Sequence, residues 1–248
     1  MADVIEVTGM VISSMPVNDY DKRVVILTKE RGKISAFARG ARRMNSPLMG
    51  GTNAMCLGRF TVYEGRTSYN IQQTAIDSYF QEVANDIDSV YYAFYFMELA
   101  DYYSVENVDA SEMVNLLYMT FRALTKNRVG KELIRYIFEL RAMVISGTYP
   151  NVFECNKCRQ KENLHVFSAA KGGVYCDGCR RDIYDGITMS PSTLYTLQYI
   201  IGSPVEKLFS FEVKEAVLIE LRLIMGRLNL LYVDRKLKSL EILESMNF

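Results

Sequence analysis

The chain has little of what catalysis usually needs. One histidine, His165, serves all 248 residues. No convincing Ser-His or Cys-His pair can be built around it. There is no GxxxxGKS/T phosphate loop, no HExxH and no GxSxG. The close carboxylates Asp86 and Asp88 read as a solvated helix start rather than an acid/base dyad. No apolar run approaches the length of a membrane span. The opening Met1-Ala-Asp-Val-Ile-Glu-Val carries acids where a signal peptide needs basic and then apolar residues. A cytosolic setting with reduced thiols is therefore expected. Net charge is zero, which by itself argues for no particular partner.

Cysteines are few, but four of the five are ordered. Cys155-Asn-Lys-Cys158 and Cys176-Asp-Gly-Cys179 are two CxxC pairs separated by 17 residues. A CxxC turn brings two thiolates to one side of a cation, and a second turn closes a tetrahedron of four sulfurs. Such a closed site holds structure and leaves no position for substrate, so a structural zinc is expected. Two disulfides are the alternative, which a reducing compartment disfavours. His165 lies between the pairs and reads as a surface or packing residue. Cys56 stands alone in an apolar stretch and reads as a buried small hydrophobe.

Charge and periodicity divide the chain. From Lys22 to Arg66 ten Lys and Arg face two acids, and from Gln81 to Pro150 six bases face ten acids. One region is built to meet an anion and the next is not. Residues 4–80 read as five short strands: Val4–Ile12, Arg23–Thr28, Lys33–Arg39, Leu57–Tyr63 and Tyr69–Ile76. Glu64-Gly65-Arg66 is a hairpin turn between the last two. Five strands in so short a span suggest a small barrel of the OB type. From Val83 the period becomes helical. Helices are expected at Ser89–Tyr103, along Val114–Leu124 and Leu133–Val144 with Gly147 as cap, from Ser190-Pro191, at Glu212–Leu231 and at Asp234–Glu244. The tyrosines at 91, 92, 95, 102 and 103 are core and interface residues on this reading. The expected class is α+β: an OB-fold barrel over 1–80, then an all-helical domain over 81–248. A four-cysteine zinc module is inserted at about 151–185.

The basic run ends a strand and enters a Gly/Ser/Pro loop, Met44–Gly51. With Phe37, Phe60, Tyr63 and Tyr69 in the same barrel, it has the ingredients of a single-strand platform. Bases stack on aromatics while Lys and Arg follow phosphates. The bland alternative is a solvated basic face over a core of aromatics.

The stretch Phe37-Ala-Arg-Gly-Ala-Arg-Arg43 and the strand-turn Leu57-Gly-Arg-Phe-Thr-Val-Tyr-Glu-Gly65 resemble the bacterial recombination mediator family RecO. So does the ending Leu231-Tyr-Val-Asp-Arg-Lys-Leu-Lys-Ser239, and the order of parts fits along nearly the whole chain. The resemblance implies a non-enzymatic protein of DNA repair, cytoplasmic and nucleoid-associated, with no membrane partner. It implies binding of single- and double-stranded DNA and annealing of complementary strands. It also implies binding of the acidic, apolar tail of the single-strand-binding protein, and action with RecR to load RecA. Lys33, Phe37, Arg39, Arg42, Arg43, Arg59, Tyr63 and Arg66 are the expected nucleic-acid ligands. Leu221, Arg222, Ile224, Arg227, Leu228, Leu231 and Arg235 are the expected surface for the tail. The rival readings are a zinc-containing scaffold that binds only proteins, and an enzyme with an unrecognised carboxylate or tyrosine site.

Overall fold

The computed structural model describes residues 4–65 and 68–246, apart from the side chain of Asp182. Backbone contacts divide the chain into two compact units, residues 1–125 with 237–248, and residues 126–236.

In the first unit, alternation builds a barrel. β3 (Gly32–Ala38) alternates buried and half-buried residues along its whole length, with Ile34, Ala36 and Ala38 inward. It is joined by β1 (Val4–Val17), β2 (Asp21–Thr28), β4 (Leu57–Glu64) and β5 (Tyr69–Ser78). The closed order is β1-β2-β3-β5-β4. β1 is long enough to pair with both β2 and β4, and a bulge between Val11 and Ser13 bends it from one to the other. Two parallel pairs, Ala36 with Tyr69 and Phe37 with Asn70, close the cylinder. Val7, Val11, Ile26, Ile34, Phe60, Val62 and Tyr69 fill it. Cys56 belongs to this core, and burial pushes its thiol pKa up. The turn expected at Glu64–Arg66 reaches Arg66, which lies outside the described residues.

After the barrel come α1 (Gln81–Asn85), α2 (Ile87–Tyr103) and α3 (Ser111–Lys126). Asp86 begins α2 by accepting a hydrogen bond from the Ser89 N–H. Tyr92, Tyr95, Phe96, Met97 and Leu99 bury most of its circumference, so it has little amphipathic signal. The final helix, α7 (Lys238–Met246), belongs to this unit.

The second unit contains α4 (Lys131–Ile145), α5 (Pro191–Gly202) and α6 (Glu215–Tyr232). α4 ends in paired bonds from the Gly147 and Thr148 N–H groups to the Val144 and Met143 carbonyls. Gly147 at φ 76° allows that reversal. α5 starts at Ser190, whose hydroxyl accepts from the Thr193 N–H, with Pro191 in the first turn. Among the described residues between α4 and α5 there is no α-helix, only a single 3-10 turn at Arg180–Asp182. β6 (Leu164–Ser168) pairs with β7 (Gly173–Cys176) and with β8 (Ile187–Thr188) in a small antiparallel sheet. The strands are short and surrounded by cysteine and glycine, so their period is too brief to read in advance. Among the described residues, no helix is long and apolar enough to cross a membrane.

Candidate nucleic-acid interface and metal centre

The basic arm beyond β3 has a fixed backbone. Gly40 takes φ 67°, and its N–H bonds the Asp21 carboxylate at 2.7 Å. A side chain there would be strained, so glycine is required for the turn. Ala41 is fully buried, which pins the arm between two exposed arginines. The Arg42 N–H bonds the Tyr20 carbonyl at 2.8 Å, and its guanidinium bonds the Asn18 carbonyl at 3.1 Å. The Arg43 guanidinium lies 5.1 Å from the centre of the Tyr20 ring. Arg39, Arg42 and Arg43 are all exposed.

The loop that follows is anchored by Lys22. Its ammonium donates to Asn53 Oδ1 at 2.7 Å, and to the Met49 carbonyl and Thr52 Oγ1 at 3.3 Å. Burial lowers the pKa of this ammonium, and its charge is spent inside the loop. Leu48 and Thr52 are buried beneath it.

Strand register sets a second row beside the arm. Arg23 pairs with Phe37, Phe37 with Asn70, and Asn70 with Tyr63. Paired residues share a face, so these four side chains form one band across β2, β3, β5 and β4. Tyr63 is 38 % exposed and Phe37 half-buried, whereas Phe60 and Tyr69 are buried in the core. Phe37 and Tyr63 are thus the two outward aromatics of that group. Arg23 and Tyr20 were missed at the level of sequence. Counting pairs back from the Glu30–Gly32 turn would have placed Arg23 opposite Phe37.

Other expected ligands are already paired. Lys33 meets the Asp101 carboxylate at 3.1 Å, and Arg59 is 3.8 Å from Glu6. Arg66 lies outside the described residues.

The four cysteines converge in the second unit. All four Sγ atoms lie within 4.8 Å of one another, with Cys158 and Cys176 at 3.7 Å. A tetrahedron with metal–sulfur bonds of about 2.3 Å has edges of about 3.8 Å, so the cluster could hold such an ion. The first knuckle is tied to the sheet, since the Asn156 N–H bonds the Val174 carbonyl at 2.9 Å and its side chain bonds the Lys171 carbonyl at 2.9 Å. The second closes through Cys179 N–H to the Cys176 carbonyl at 3.0 Å. Burial alone would push the Cys155 thiol up, but backbone N–H groups of Cys158, Cys176 and Lys157 outweigh it and bring it to about 6. Burial and the neighbouring sulfurs push Cys179 up to about 12. Four thiols this close resist full ionisation until a cation neutralises them. His165 stands apart from the cluster, with Nδ1 3.2 Å from the Asp177 carboxylate.

The residues expected to receive a protein tail do not share one surface. Leu221, Ile224 and Leu228 are fully buried along α6. Arg222 is held by Glu132 at 2.7 Å. Arg227, Leu231 and Arg235 are exposed at the C-terminal end of the helix and just beyond it.

An OB-like barrel with a helical region and a four-cysteine knuckle pair defines a two-part protein with a candidate metal centre. Comparison with known proteins narrows that class to one family. Residues 1–79 match the family model described as Recombination protein O N terminal, and residues 84–241 match Recombination protein O C terminal. The chain is 31 % identical to DNA repair protein RecO of Acetivibrio thermocellus, covering 94 % of this chain and 92 % of the relative. It is 29 % identical to that of Alkaliphilus metalliredigens, covering 96 % and 98 %. It is 30 % identical to that of Clostridium kluyveri, covering 96 % and 92 %. The chain belongs to the RecO family, a family of DNA repair and recombination.

Proposed function

We propose that this protein is a non-enzymatic mediator that binds single- and double-stranded DNA through its barrel and anneals complementary strands. The observation that carries the reading is the arm of Arg39, Arg42 and Arg43, pinned by backbone bonds beside the outward Phe37 and Tyr63. Annealing requires two polyanions to approach, and a dense cationic arm lowers their repulsion by replacing counterions. The two rings add sequence-tolerant stacking of about 1–3 kcal/mol per base. Lys33 and Arg59 flank this surface with charges partly compensated by Asp101 and Glu6. Arg66 extends the set.

The cysteine cluster holds a structural zinc on this reading, bound by Cys155, Cys158, Cys176 and Cys179. The protein works in the cytoplasm at the nucleoid, with RecR, and helps load RecA onto DNA coated by single-strand-binding protein. That protein's acidic, apolar tail docks on the helical region. Leu231, Arg227 and Arg235 supply the exposed contacts, with Arg222 beside them, over the core residues Leu221, Ile224 and Leu228. The test combines binding of a labelled oligonucleotide at low salt with annealing of complementary oligonucleotides. Binding and annealing are expected without nuclease or ATPase activity. A protein that binds the tail peptide but no oligonucleotide is a scaffold instead.

A further inference from the structure

The helical part of the first unit carries charge of the wrong sign for DNA. Residues 81–125 and 237–248 hold ten Asp and Glu against Arg122 and Lys238, a net of −8. A strand held on the barrel gains nothing from that field.

The same unit contains a groove of about 750 Å³ between the outer face of β1 and β2 and the helices α2 and α7. Its apolar lining is Ile12, Val25, Tyr91, Phe94, Met97 and Ile242. Phe94 is 46 % exposed, Ile242 49 % and the neighbouring Ile87 68 %. Ile87, Tyr91, Phe94, Glu98 and Asp101 recur at three and four residues and so share one face of α2. Large apolar side chains left in water along one stripe mark a contact surface.

The groove is preformed. Glu98 accepts hydrogen bonds from the Ser239 N–H at 2.8 Å and the Lys238 N–H at 3.3 Å, which fixes the start of α7 on α2. The Lys33–Asp101 pair at 3.1 Å fixes α2 to β3. The bulge after Val11 lies next to Ile12, Ser13 and Ser14 on the opposite wall.

We propose that this groove docks a cationic amphipathic helix of a partner protein. Apolar residues at intervals of three and four would seat against Tyr91, Phe94 and Ile242. Lysines and arginines on its flanks would meet the acidic field of the surrounding helices. Among the charged residues that line the groove, Glu98 and Asp101 outnumber Lys238, which favours a cationic partner over a nucleic acid or an acidic peptide.

The probe is a labelled helix with leucines at i, i+3, i+4 and i+7 and lysines elsewhere, and its twin with glutamates in place of the lysines. Fluorescence anisotropy with the full chain is expected to show binding of the lysine helix, weakened by salt, and none of the glutamate helix. The variant F94A/I242A is expected to weaken it by about tenfold or more. Hydrogen exchange on the unaltered protein, which needs no variant to fold, is expected to show new protection of α2 and α7. No binding, equal binding of the two helices, or equal binding by F94A/I242A would overturn the proposal. So would protection on the Arg39–Arg43 arm instead. A dimer in light scattering whose α2 and α7 are already protected would give the groove to a second copy of this chain, and that too would overturn it.

Discussion

The ammonium of Lys33 on β3 lies 3.1 Å from the carboxylate of Asp101 on α2 and donates to the Asp101 carbonyl at 2.8 Å. A strand residue of the basic run thus joins the barrel to its first long helix. Both side chains keep about 30 % exposure, so solvent screens the pair. Lys33→Ala is expected to cost about 1 kcal/mol in denaturant unfolding. It is expected to change the salt slope of DNA binding by less than the 0.7 of one phosphate contact on a single strand. A full loss of 0.7 with unchanged stability would make Lys33 a phosphate ligand after all.

Arg135 and Glu139 form a pair inside α4, with Nε 2.7 Å from Oε1 and both residues buried. Removing Arg135 takes a charge-assisted hydrogen bond from a fully buried carboxylate. Arg135→Met is expected to destabilise the protein by about 3–5 kcal/mol. Changing both to Met and Leu is expected to recover most of that loss. Urea unfolding of the single and double variants measures it, and a harmless single variant would contradict the expected cost.

Glu132 is governed by Arg222. Burial pushes its carboxyl up, but hydrogen bonds from Arg222 and Tyr136 outweigh burial and hold it below the usual carboxylate value. A depressed folded value contributes stability above the unfolded carboxylate range, about pH 4.3. That contribution is lost as pH falls through the folded value. Arg222→Ala removes the larger of these hydrogen bonds and is expected to raise the Glu132 value and to flatten the acid limb of the stability curve. Carbon-detected NMR titration of Glu132 checks the first, and an unmoved carboxyl would refute the coupling.

The cysteine cluster gives a prediction about metal. Structural zinc in finger peptides supplies roughly 10–16 kcal/mol of apparent folding energy. Cys155→Ser or Cys176→Ser is expected to lower soluble yield and melting temperature, and elemental analysis to find one zinc per chain. Protein purified without chelator and lacking zinc would contradict this.

The barrel was legible in the sequence because Val4–Ile12 is rich in β-branched residues, Lys33–Ala38 alternates basic or small with apolar residues, and turn residues separate the strands. Ser190-Pro191 and Gly147 mark helix ends whose caps depend on neighbours only three to five residues away. The cysteine cluster was legible because its spacing is set by local turns. Other features depend on distant partners. Lys33 looks like any strand lysine until Asp101, 68 residues on, comes to face it. Leu221, Ile224 and Leu228 form an apolar stripe that would serve a groove or a core equally well, and packing in the second unit makes it core. The three strands Leu164–Ser168, Gly173–Cys176 and Ile187–Thr188 were invisible because they run only two to five residues each.

If Arg39, Arg42 and Arg43 hold the phosphates, the salt dependence of DNA binding depends on them. Binding of a labelled single strand across a range of salt tests it most directly, comparing the unaltered chain with the variant carrying Ala at all three positions. Each lost phosphate contact should remove about 0.7 from the slope of log affinity against log salt. The expected slope is shallower by about two, with weaker binding of every sequence alike. An unchanged slope would contradict it and move the DNA site away from the barrel arm.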